Sequence, residues 1–535
     1  MLHYRKNLPA WALAVALALP SALSGQQPAD TTQPGLKPYI VGQAKPPVEP
    51  GGTLVTMTLQ QAIDRALKSN LDIQTVRLAP DIQKYSLLSA EAAFSPTFST
   101  NLSYNNSTNL PTSQLDAGTG VSQITSKRYT FNGSLVKPTR WFGGQLSANF
   151  NNSRNETNSD FSVRNPSYSS SLQLSYSQPL LAGFKIDNQR AALQTQQIQT
   201  QITDLQVQSQ VANITNRVRV SYWALRYGIE QMEIQRRNLD QAQQLLAQDS
   251  LQVRLGRMTT TQMLQAAAQV ASAEQGVLNA QVTWHNLELV FKSLLVSGPT
   301  DELLNQTIDP TDQPTETQQT VDIQAAIRTA LSERTDIRQQ RRQRDISEVN
   351  LDVSKSNALP DLTLSAGYSL QGVGGDQYQR DALGGSPVLV APGGYTDALT
   401  NIRNFDAPTW NLSVRGSYPI GTNPAKTSLE RAKLQMEQTD LALKSQELSI
   451  ITQVTNAGYA VSNAYLQLQA ARRAREAAEL SLQGTLQRFQ VGAATNYEVV
   501  QAQNQLTSAR VSELQAVISH VNAIAEFDRV QHVGS

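Results

Sequence analysis

The chain contains no cysteine among its 535 residues. This absence excludes disulfide bonds, thiolate metal sites, cysteine nucleophiles and lipid attachment to an N-terminal cysteine. Only 16% of the residues are charged, against about 25% in a typical soluble protein. The 44 basic residues almost balance the 43 acidic ones. Because such a chain offers no excess of positive charge to phosphates, no nucleic-acid partner is expected.

Motifs for catalysis or metal binding are also lacking. The four histidines are scattered, and none pairs with another at metal-ligand spacing. The sequence has no H-E-x-x-H, no G-x-S-x-G and no phosphate-binding loop. Carboxylates such as Glu230, Glu233 and Asp240 are interpreted as a solvated helix face rather than an acid–base pair. We therefore predict that the protein is not an enzyme and needs no cofactor or metal.

Proline is missing from two long stretches, 187–254 and 425–490. At ~1.5 Å per residue, each stretch could form one helix roughly 100 Å long. Neither contains the run of ~20 apolar residues that a membrane-spanning helix needs. Apolar residues recur instead at threes, fours and sevens, the last as in Leu434, Leu441 and Leu448. The pattern predicts packed, mostly solvated helices.

Each long helix ends at a similar signal and then reverses. The first turn reads Leu-Gly-Arg-Met-Thr over 255–259, and the second reads Val-Gly-Ala-Ala-Thr over 491–495. Glycine after a helix supplies a left-handed C-cap, and threonine can cap the helix that follows. The returning segments, 261–295 and 496–530, again lack proline and match each other at a constant offset. Both stretches are therefore predicted to be helical hairpins of one duplicated unit.

The segments before the hairpins repeat as well. The stretch 58–67 is repeated 264 residues later, at 322–331, and this offset continues without a gap to Tyr104 and Tyr368. In each half a helical pattern runs into a proline, Pro96 or Pro360, after which the apolar period changes from 3.6 to 2.

Alternating apolar and small polar residues predict strands that end near Pro179 and Pro419. The predicted strands are 97–106, 170–178, 361–371 and 409–418. Strands of ~9–11 residues with one apolar face suit a transmembrane β-barrel. A soluble β-sandwich gives the same alternation, but long helices flanking every strand pair make a sandwich a poorer interpretation.

The two halves differ between their outer strands. The first half has two further alternating runs within 127–150, which could form an added hairpin, so the sequence leaves open whether each chain has four or six barrel strands. The second half has a glycine-rich insert at 372–407, which is predicted to be an exposed loop.

The domain organisation of the chain follows from the boundaries of the predicted helices and strands. Residues 1–24 have the basic start and short apolar core of a secretory signal peptide, although an uncleaved anchor is the alternative. A Pro/Gln-rich leader at 25–56 precedes the first repeat (57–296), a linker (297–320) and the second repeat (321–530). The predicted parts of the repeats are helices 58–93, strands 97–178 and hairpin 187–295, then helices 322–358, strands 361–419 and hairpin 425–530.

This order of elements, given twice, resembles the TolC-type outer-membrane efflux proteins over about 55–530. The most specific matches are Arg-Phe-Gln-Val-Gly-Ala-Ala-Thr-Asn-Tyr-Glu-Val-Val-Gln-Ala at 488–502 and Gln-Pro-Leu at 178–180. The chain departs from the family pattern at the second strand end, Tyr418-Pro419, which lacks the glutamine. It also has Leu255 where the pattern has valine and Gln262 where the family often has an acid.

The resemblance implies a mainly α-helical fold with a membrane β-barrel portion. Three chains would build one outer-membrane barrel and one periplasmic α-helical tunnel, in contact with outer-membrane lipid. Trimerisation also has a physical basis, because the few strands of one chain cannot close a barrel and lipid does not tolerate open sheet edges.

The function implied is a passive exit duct of a tripartite efflux or type I secretion system. Its partners would be a periplasmic adaptor (membrane fusion) protein and an inner-membrane transporter of the RND or ABC type. Multidrug efflux, metal efflux and protein secretion are all compatible with the sequence. The alternative from another class is a periplasmic coiled-coil scaffold or adaptor without a pore.

The resemblance also predicts which residues form functional sites. Glu498 falls at the family's acidic constriction and, with Gln501 and Gln262, is the predicted periplasmic gate, although Glu498 could simply be a favourable charge in a first helical turn. The predicted adaptor-docking turns comprise Gly256, Thr259, Gly492, Ala493, Ala494 and Thr495, whose glycines could instead only reverse the chain. The predicted helix–strand junctions are Pro96, Pro179, Pro360 and Pro419.

Overall fold

A computed structural model of the chain describes residues 41–47, 53–110, 122–159, 161–380, 385–421 and 423–531. The predicted signal peptide (1–24) and most of the predicted leader (25–56) lie outside these residues.

The described residues form helices and strands in the order that the period changes predict. The helices are α1 (Leu59–Ser69), α2 (Leu71–Arg77), α3 (Ala79–Ala92), α4 (Asn188–Arg254), α5 (Thr260–Leu295), α6 (Ile323–Glu333), α7 (Thr335–Asn357), α8 (Tyr395–Asn404), α9 (Pro424–Gln490) and α10 (Asn496–Gln531). The strands are β1 (Thr53–Met57), β2 (Thr97–Asn109), β3 (Ile124–Pro138), β4 (Gln145–Thr157), β5 (Ser167–Pro179), β6 (Gln306–Pro310), β7 (Asp361–Gly374), β8 (Gln377–Gln379), β9 (Val388–Ala391) and β10 (Pro408–Ser417).

The long hairpins have identical helix lengths in the two halves. Helices α4 and α9 each have 67 residues, and the returning helices α5 and α10 each have 36. Both long helices begin at a side-chain cap: Asp187 accepts a hydrogen bond from the backbone of Arg190, and Asn423 accepts one from that of Ala425. Within the described part of the chain, no helix is both long enough and apolar enough to cross a membrane.

The hairpins lie side by side in one layer. At the level of the turns the neighbours follow the order α5, α4, α10, α9, and nearer the strands the order becomes α3, α4, α7, α9. Adjacent helices bury apolar side chains, with Trp284, Tyr222 and Phe291 among the largest that are fully buried. The layer therefore has two open edges: α3 and α5 form one, and α9 forms the other.

The largest sheet has six strands in the order β10, β7, β5, β4, β3, β2, and every neighbouring pair is antiparallel. The hairpin β3–β4 lies inside this sheet, between β2 and β5, so the added hairpin of the first half gives the chain six strands in one sheet rather than four. The two edges of the sheet are β10 and β2.

The register gives this sheet two unlike faces. One face carries apolar side chains on every strand: Phe98, Leu102, Tyr104, Tyr129, Phe131, Leu135, Leu146, Ala148, Phe150, Leu172, Leu174, Tyr176, Leu362, Leu364, Tyr368, Leu370, Trp410, Leu412 and Val414. The opposite face carries mostly serine, threonine, asparagine and glutamine. The period-2 alternation of the sequence therefore corresponds to a sheet with one apolar and one polar face.

The glycine-rich insert 372–407 is not simply an exposed loop, and that prediction was wrong. It contains β8, β9 and helix α8, which packs on the apolar face over β7 and β5 and buries Ala398 completely. Two glycines permit this packing, because a Cβ at Gly372 would lie 1.8 Å from the carbonyl oxygen of Ala398, and one at Gly374 would lie 2.0 Å from that of Gly394. The sequence pointed to a loop because glycine is rare inside regular elements.

A second, small sheet joins the start of the described chain to the linker region. Strands β1 and β6 pair in parallel, Thr53 opposite Gln306 and Met57 opposite Pro310. The sequence did not predict either strand, since each is only five residues long. The pair lies beside the helix layer and connects the region before the first repeat with the region between the repeats.

One carboxylate lies in a different environment from the one expected. Glu230 is fully buried, whereas a solvated helix face was predicted, and it accepts hydrogen bonds from the backbone N–H groups of Gly42 and Ala44. Arg226, one helical turn earlier, pairs with it at 2.8 Å. A buried charge of this kind needs such partners. By contrast, Glu233 remains partly exposed and pairs with Arg237 at 2.7 Å.

Candidate functional site

The two hairpin turns share one backbone structure. Gly256 and Gly492 have φ of +71° and +74°, the left-handed region that favours glycine. The glycine N–H bonds the carbonyl three residues back, at 3.0 Å in both turns, and the next N–H bonds the carbonyl five residues back, at 2.9 and 2.8 Å. This is the Schellman arrangement. A Cβ at either glycine would meet nothing within 4 Å, so each glycine is required by its φ and not by close packing within the chain.

The predicted gate residues Gln262 and Glu498 occupy equivalent positions after the two turns. Gln262 folds back on the first turn, where its side-chain oxygen accepts hydrogen bonds from the N–H and hydroxyl of Thr259 at 3.1 and 3.0 Å. In the second turn the Thr495 hydroxyl donates to Glu498 at 3.3 Å, and Arg488 lies 3.7 Å from the other carboxylate oxygen. The matching positions therefore hold an amide in one half and a partly exposed carboxylate in the other.

Gln501 lies one helical turn beyond Glu498 and is exposed. Within one chain, no hydrogen bond or ion pair among the described residues joins Gln262, Glu498 and Gln501 to one another. All three nevertheless lie in the first two turns of α5 or α10, so they are at the same end of the layer.

A buried pair at this end links the two hairpins, and no local pattern in the sequence indicates it. The side-chain amide of Asn496 donates to the carboxylate of Asp249 at 2.7 Å and to the carbonyl oxygen of Gln262 at 3.3 Å. Asp249 is fully buried, and burial raises its pKa to about 6. Neither residue stands out in the sequence, because an aspartate late in a helix and an asparagine at a helix start are ordinary there.

The end of the helix layer that carries the two turns, called the tip below, also exposes apolar side chains. Val491 is 79% exposed, Tyr497 66% and Leu255 57%. The predicted docking residues Gly256, Thr259, Gly492, Ala493 and Thr495 are exposed around them, and Ala494 is half-buried. Exposed apolar groups gathered at one end of a molecule are typical of an interaction surface.

The four junction prolines lie at the opposite end of the hairpins. Pro96 and Pro360 immediately precede β2 and β7, Pro179 is the last residue of β5, and Pro419 follows β10 by two residues. Ser356, at the end of α7, connects the halves there, because its hydroxyl accepts from the N–H of Gly183 at 3.0 Å and donates to the carbonyl of Ile186 at 2.9 Å.

The open edges of the helix layer carry regular apolar stripes. On α9 the exposed residues recur mostly at sevens: Leu434, Leu441, Leu448, Tyr459, Leu466 and Leu480. On the other edge the exposed residues are Leu78 just before α3, Ile82 and Tyr85 of α3, and Leu278, Val282 and Leu289 of α5. A heptad stripe that stays exposed in one chain is typical of a helix that packs against a further helix.

Comparison with known proteins relates this arrangement to a family. The family model described as "Outer membrane efflux protein" matches residues 145–295 and 326–527. A sequence search of curated proteins gave no significant match.

Solved structures share the fold. The chain is similar to CusC, whose crystal structures are described with its transmembrane channel formation, with 15% identity, a TM-score of 0.65, and 90% of this chain and 93% of that chain covered. It is also similar to the Campylobacter jejuni CmeC outer membrane channel, with 13% identity, a TM-score of 0.62, and coverage of 89% and 86%. The Neisseria gonorrhoeae MtrE outer membrane channel, in its open state, gives 17% identity, a TM-score of 0.58, and coverage of 89% and 89%.

These comparisons confirm the predicted fold, in which long helical hairpins and antiparallel strands are given twice. They also confirm the predicted class of function, since the family consists of channels and not of enzymes. Because the family model matches more than half of the chain, the chain belongs to the outer membrane efflux protein family, the TolC-type channels of the outer membrane with a periplasmic helical extension.

Proposed function

We propose that three copies of the chain join edge to edge into one passive duct that crosses the outer membrane and the periplasm. Three is the number that the resemblance to TolC-type proteins implies. The proposal rests on one observation. The sheet has two open edges and the helix layer has two open edges, and in each case one edge is complementary to the other.

The sheet edges are complementary in direction. Because the sheet has six antiparallel strands, its edge strands β2 and β10 run in opposite directions, so β2 of one copy can pair antiparallel with β10 of the next. Nearly all residues of both strands are exposed in the single chain. Three copies would form a closed barrel of eighteen strands, and barrels of about 16–18 strands enclose an aqueous channel. Closure also removes the open edges that lipid does not tolerate.

The helix edges are complementary in chemistry and height. Near the sheet, the exposed stripe at 78–85 lies 7–14 residues before the last residue of α3, and the upper stripe of α9 (434–448) lies 10–24 residues after its first residue. The two stripes should therefore be at similar heights on opposite edges. Towards the turns, the exposed stripe of α5 (278–289) lies 18–29 residues after its first residue, and the lower stripe of α9 (459–480) lies 10–31 residues before its last residue. These two stripes should also be at similar heights. Since α9 runs opposite in direction to α3 and α5, the next copy continues the alternating layer. Three copies would give a cylinder twelve helices around at each level.

The two faces of the sheet suit the two surfaces of such a barrel. The apolar face would contact outer-membrane lipid, and the polar face would line the lumen. That polar face consists mostly of uncharged side chains, and its charged residues are Arg128 of β3, Asp361 of β7 and Arg415 of β10. A lumen of hydroxyls and amides interacts weakly with solutes of either charge. This suits a duct through which substrate passes and in which it does not bind.

The tip would meet the partners that supply energy. A passive duct needs an inner-membrane transporter, of the RND or ABC type, and a periplasmic adaptor to bridge to it. The exposed apolar residues Leu255, Val491 and Tyr497 beside the two glycine turns support an adaptor-docking role for this end. In the trimer, Glu498 would supply one carboxylate per chain to a ring at the closed end, with the amides Gln262 and Gln501 around it.

The proposal is tested by breaking the helix edge without unfolding the chain. Leu441→Glu combined with Leu466→Glu places two charges on the α9 stripe, where each leucine is expected to contribute about 1.5–3 kcal/mol if the next copy buries it. The control, Gln435→Glu with Gln467→Glu, places the same charges at exposed polar positions one residue off the stripe.

Assembly and conduction are then measured separately. The wild type and the control should migrate from outer membranes as a heat-modifiable trimer and conduct ions in planar bilayers, whereas the stripe variant should migrate as a single chain. A stripe variant that assembles like the wild type would overturn the packing proposal. A wild-type assembly that never conducts would favour the periplasmic scaffold without a pore.

A further inference from the structure

A cleft lies on the apolar face of the six-stranded sheet, towards the end remote from the long helices. Its volume is about 670 Å³. Its walls include the side chains of Leu102, Tyr104, Tyr129, Phe131, Tyr168 and Tyr395. Helix α8 makes the cleft, because it covers β5 and β7 at this end but leaves β2, β3 and β4 uncovered. Tyr395, the first residue of α8, fixes that wall by donating a hydrogen bond from its hydroxyl to Asn152 at 2.8 Å.

One cation projects into this aromatic cleft. Arg154 lies over the rings of Tyr129 and Tyr168, with its guanidinium carbon 5.5 and 6.0 Å from the ring centroids, and its Nε donates to the Tyr168 hydroxyl at 3.3 Å. These contacts hold the guanidinium in place. Its Nη1 lies 3.2 Å from Glu156, while Nη2 donates no hydrogen bond to another group in the described part of the chain.

The charge at the rim of the cleft is positive. Glu156 is the cross-strand partner of Lys127, so two cations flank one carboxylate at the end of β3 and β4. The rim therefore keeps one excess positive charge and a free guanidinium N–H pair, above a floor of leucine, phenylalanine and tyrosine. That combination matches a ligand with an anionic head and an apolar body.

The depth of the cleft indicates where such a ligand would come from. Tyr129 and Arg154 each lie about ten residues from the helix end of their strands, near Pro138 and Gln145, and ~9–11 residues are needed to span the hydrocarbon layer. Tyr104, Tyr129 and Tyr168 would then form part of an aromatic girdle at the outer interface. Phosphate groups at that depth belong to lipids of the outer leaflet.

We propose that this cleft binds a phosphate-bearing lipid of the outer leaflet. Its phosphate accepts hydrogen bonds from Arg154 Nη2 and is attracted by the ammonium group of Lys127, and an acyl chain lies along Leu102 and Phe131. The inference rests on the proposed function, since it needs the sheet to span the membrane. The bound lipid would seal the gap that α8 leaves over β2–β4.

The test uses the assembled full-length channel in nanodiscs and native mass spectrometry. Two probes are supplied, lipid A with its phosphates and the same lipid A without them. The wild type should retain the phosphorylated lipid, and Arg154→Met should retain about tenfold less, since the variant cannot form charge-assisted hydrogen bonds with the phosphate. The matched control is Lys137→Met, a cation on the same face at the helix end of β3, which should retain as much lipid as the wild type.

Several outcomes would overturn the proposal. Equal retention by Arg154→Met, equal retention of the phosphate-free lipid, or full displacement by inorganic phosphate would each contradict a phosphate-bearing lipid site. If Arg154→Met does not assemble, Lys127→Met takes its place and should also lose phosphorylated lipid. Conductance in planar bilayers separates the two ideas: a variant that conducts normally but loses lipid supports the site, and a conducting channel whose lipid content is unchanged overturns it while leaving the duct intact.

Discussion

The two halves of the chain have the same helices and different strands. Both carry a long helix of 67 residues and a returning helix of 36, but the first half contributes four strands to the large sheet and the second only two. The helix lengths have to agree, because hairpins of unequal length could not close a layer at one level. The sheet tolerates an added hairpin, because two extra antiparallel strands leave the directions of the edge strands unchanged.

The halves also differ at the tip. Each returning helix has a polar residue at its third position that folds back on a threonine cap, but this residue is Gln262 in the first half and Glu498 in the second. The shared backbone and the unlike side chains separate two roles. The turn geometry reverses the chain in both halves, whereas a carboxylate is present in only one.

The largest effect is expected from charges on the apolar face, where the halves should behave alike. Arginine at Leu172 in the first half, or at Leu364 or Leu412 in the second, should each cost ~2–4 kcal/mol if the site lies near the bilayer midplane. Ser413→Arg, on the polar face next to Leu412, is the control and should cost little. Resistance of the trimer to denaturant measures the difference. Equal stability of Leu412→Arg and Ser413→Arg would mean that the apolar face does not contact lipid.

A smaller and again equal effect is expected at the two turns. Gly256→Ala and Gly492→Ala each place a Cβ at positive φ and should destabilise the hairpin by roughly 1–2 kcal/mol. Gly484→Ala, inside α9, is the control: it also has nothing within 4 Å of its Cβ position, but it is helical and should gain about 0.5–1 kcal/mol. Thermal unfolding of the three variants tests this. Destabilisation by all three alike would contradict the role given to the backbone conformation.

The contact between the halves should depend on pH. The raised pKa of Asp249, about 6, means that the folded state favours the neutral carboxyl. The contribution of Asp249 to the free energy of unfolding is therefore fully present below its pKa in the unfolded chain, near 3.8. That contribution is lost as the pH rises towards and through about 6. Between about pH 3.8 and pH 6, the melting temperature of the wild type should fall relative to that of Asp249→Asn, which cannot ionise.

The comparison with Asp249→Asn removes the effect of other groups. Burial also raises the pKa values of Glu513 and Asp309, which titrate in both proteins and cancel in the difference. If the two melting curves shift with pH in parallel, Asp249 does not titrate in the folded state as its burial requires.

The smallest energetic effect, and the sharpest test of the difference between the halves, is expected from exchanging the residues at the proposed gate, Glu498 and Gln262. Glu498→Gln should lower cation selectivity and block by divalent cations in single-channel recordings, because it removes three carboxylates from one narrow site. Gln262→Glu should raise both by adding a second acidic layer. If neither variant changes the recordings, Glu498 is only a charge that stabilises the first turn of α10.

Strong local signals made most of the fold predictable from sequence. The proline-free stretches, the glycine turns and the change from period 3.6 to period 2 predicted the hairpins and the outer strands. Whether the 127–150 hairpin joins the same sheet as the outer strands could not be decided from the sequence, because alternation reveals a strand but not its neighbours. The pairing of β1 with β6 was missed because two five-residue strands far apart in sequence carry too little local pattern.

The site was less predictable for a physical reason. Gly256 and Gly492 were found because positive φ restricts the residue type, and that restriction is visible in sequence. The pair of Asp249 and Asn496 was missed because burial depends on how the hairpins pack. Glu230 was assigned to a solvated face for the same reason, since nothing local reveals that Gly42 and Ala44 lie against it.

The open edges of the sheet and of the helix layer are proposed to close on further copies of the same chain. Electron cryomicroscopy of the channel extracted from outer membranes tests this closure most directly, because strands and helices can be counted around the axis. We expect three copies, with β2 of each paired antiparallel to β10 of the next, giving eighteen strands above twelve helices. A barrel of twelve strands with the β3–β4 hairpin outside it, or an assembly whose β2 and β10 edges stay unpaired, would show that the chains do not join edge to edge in this way.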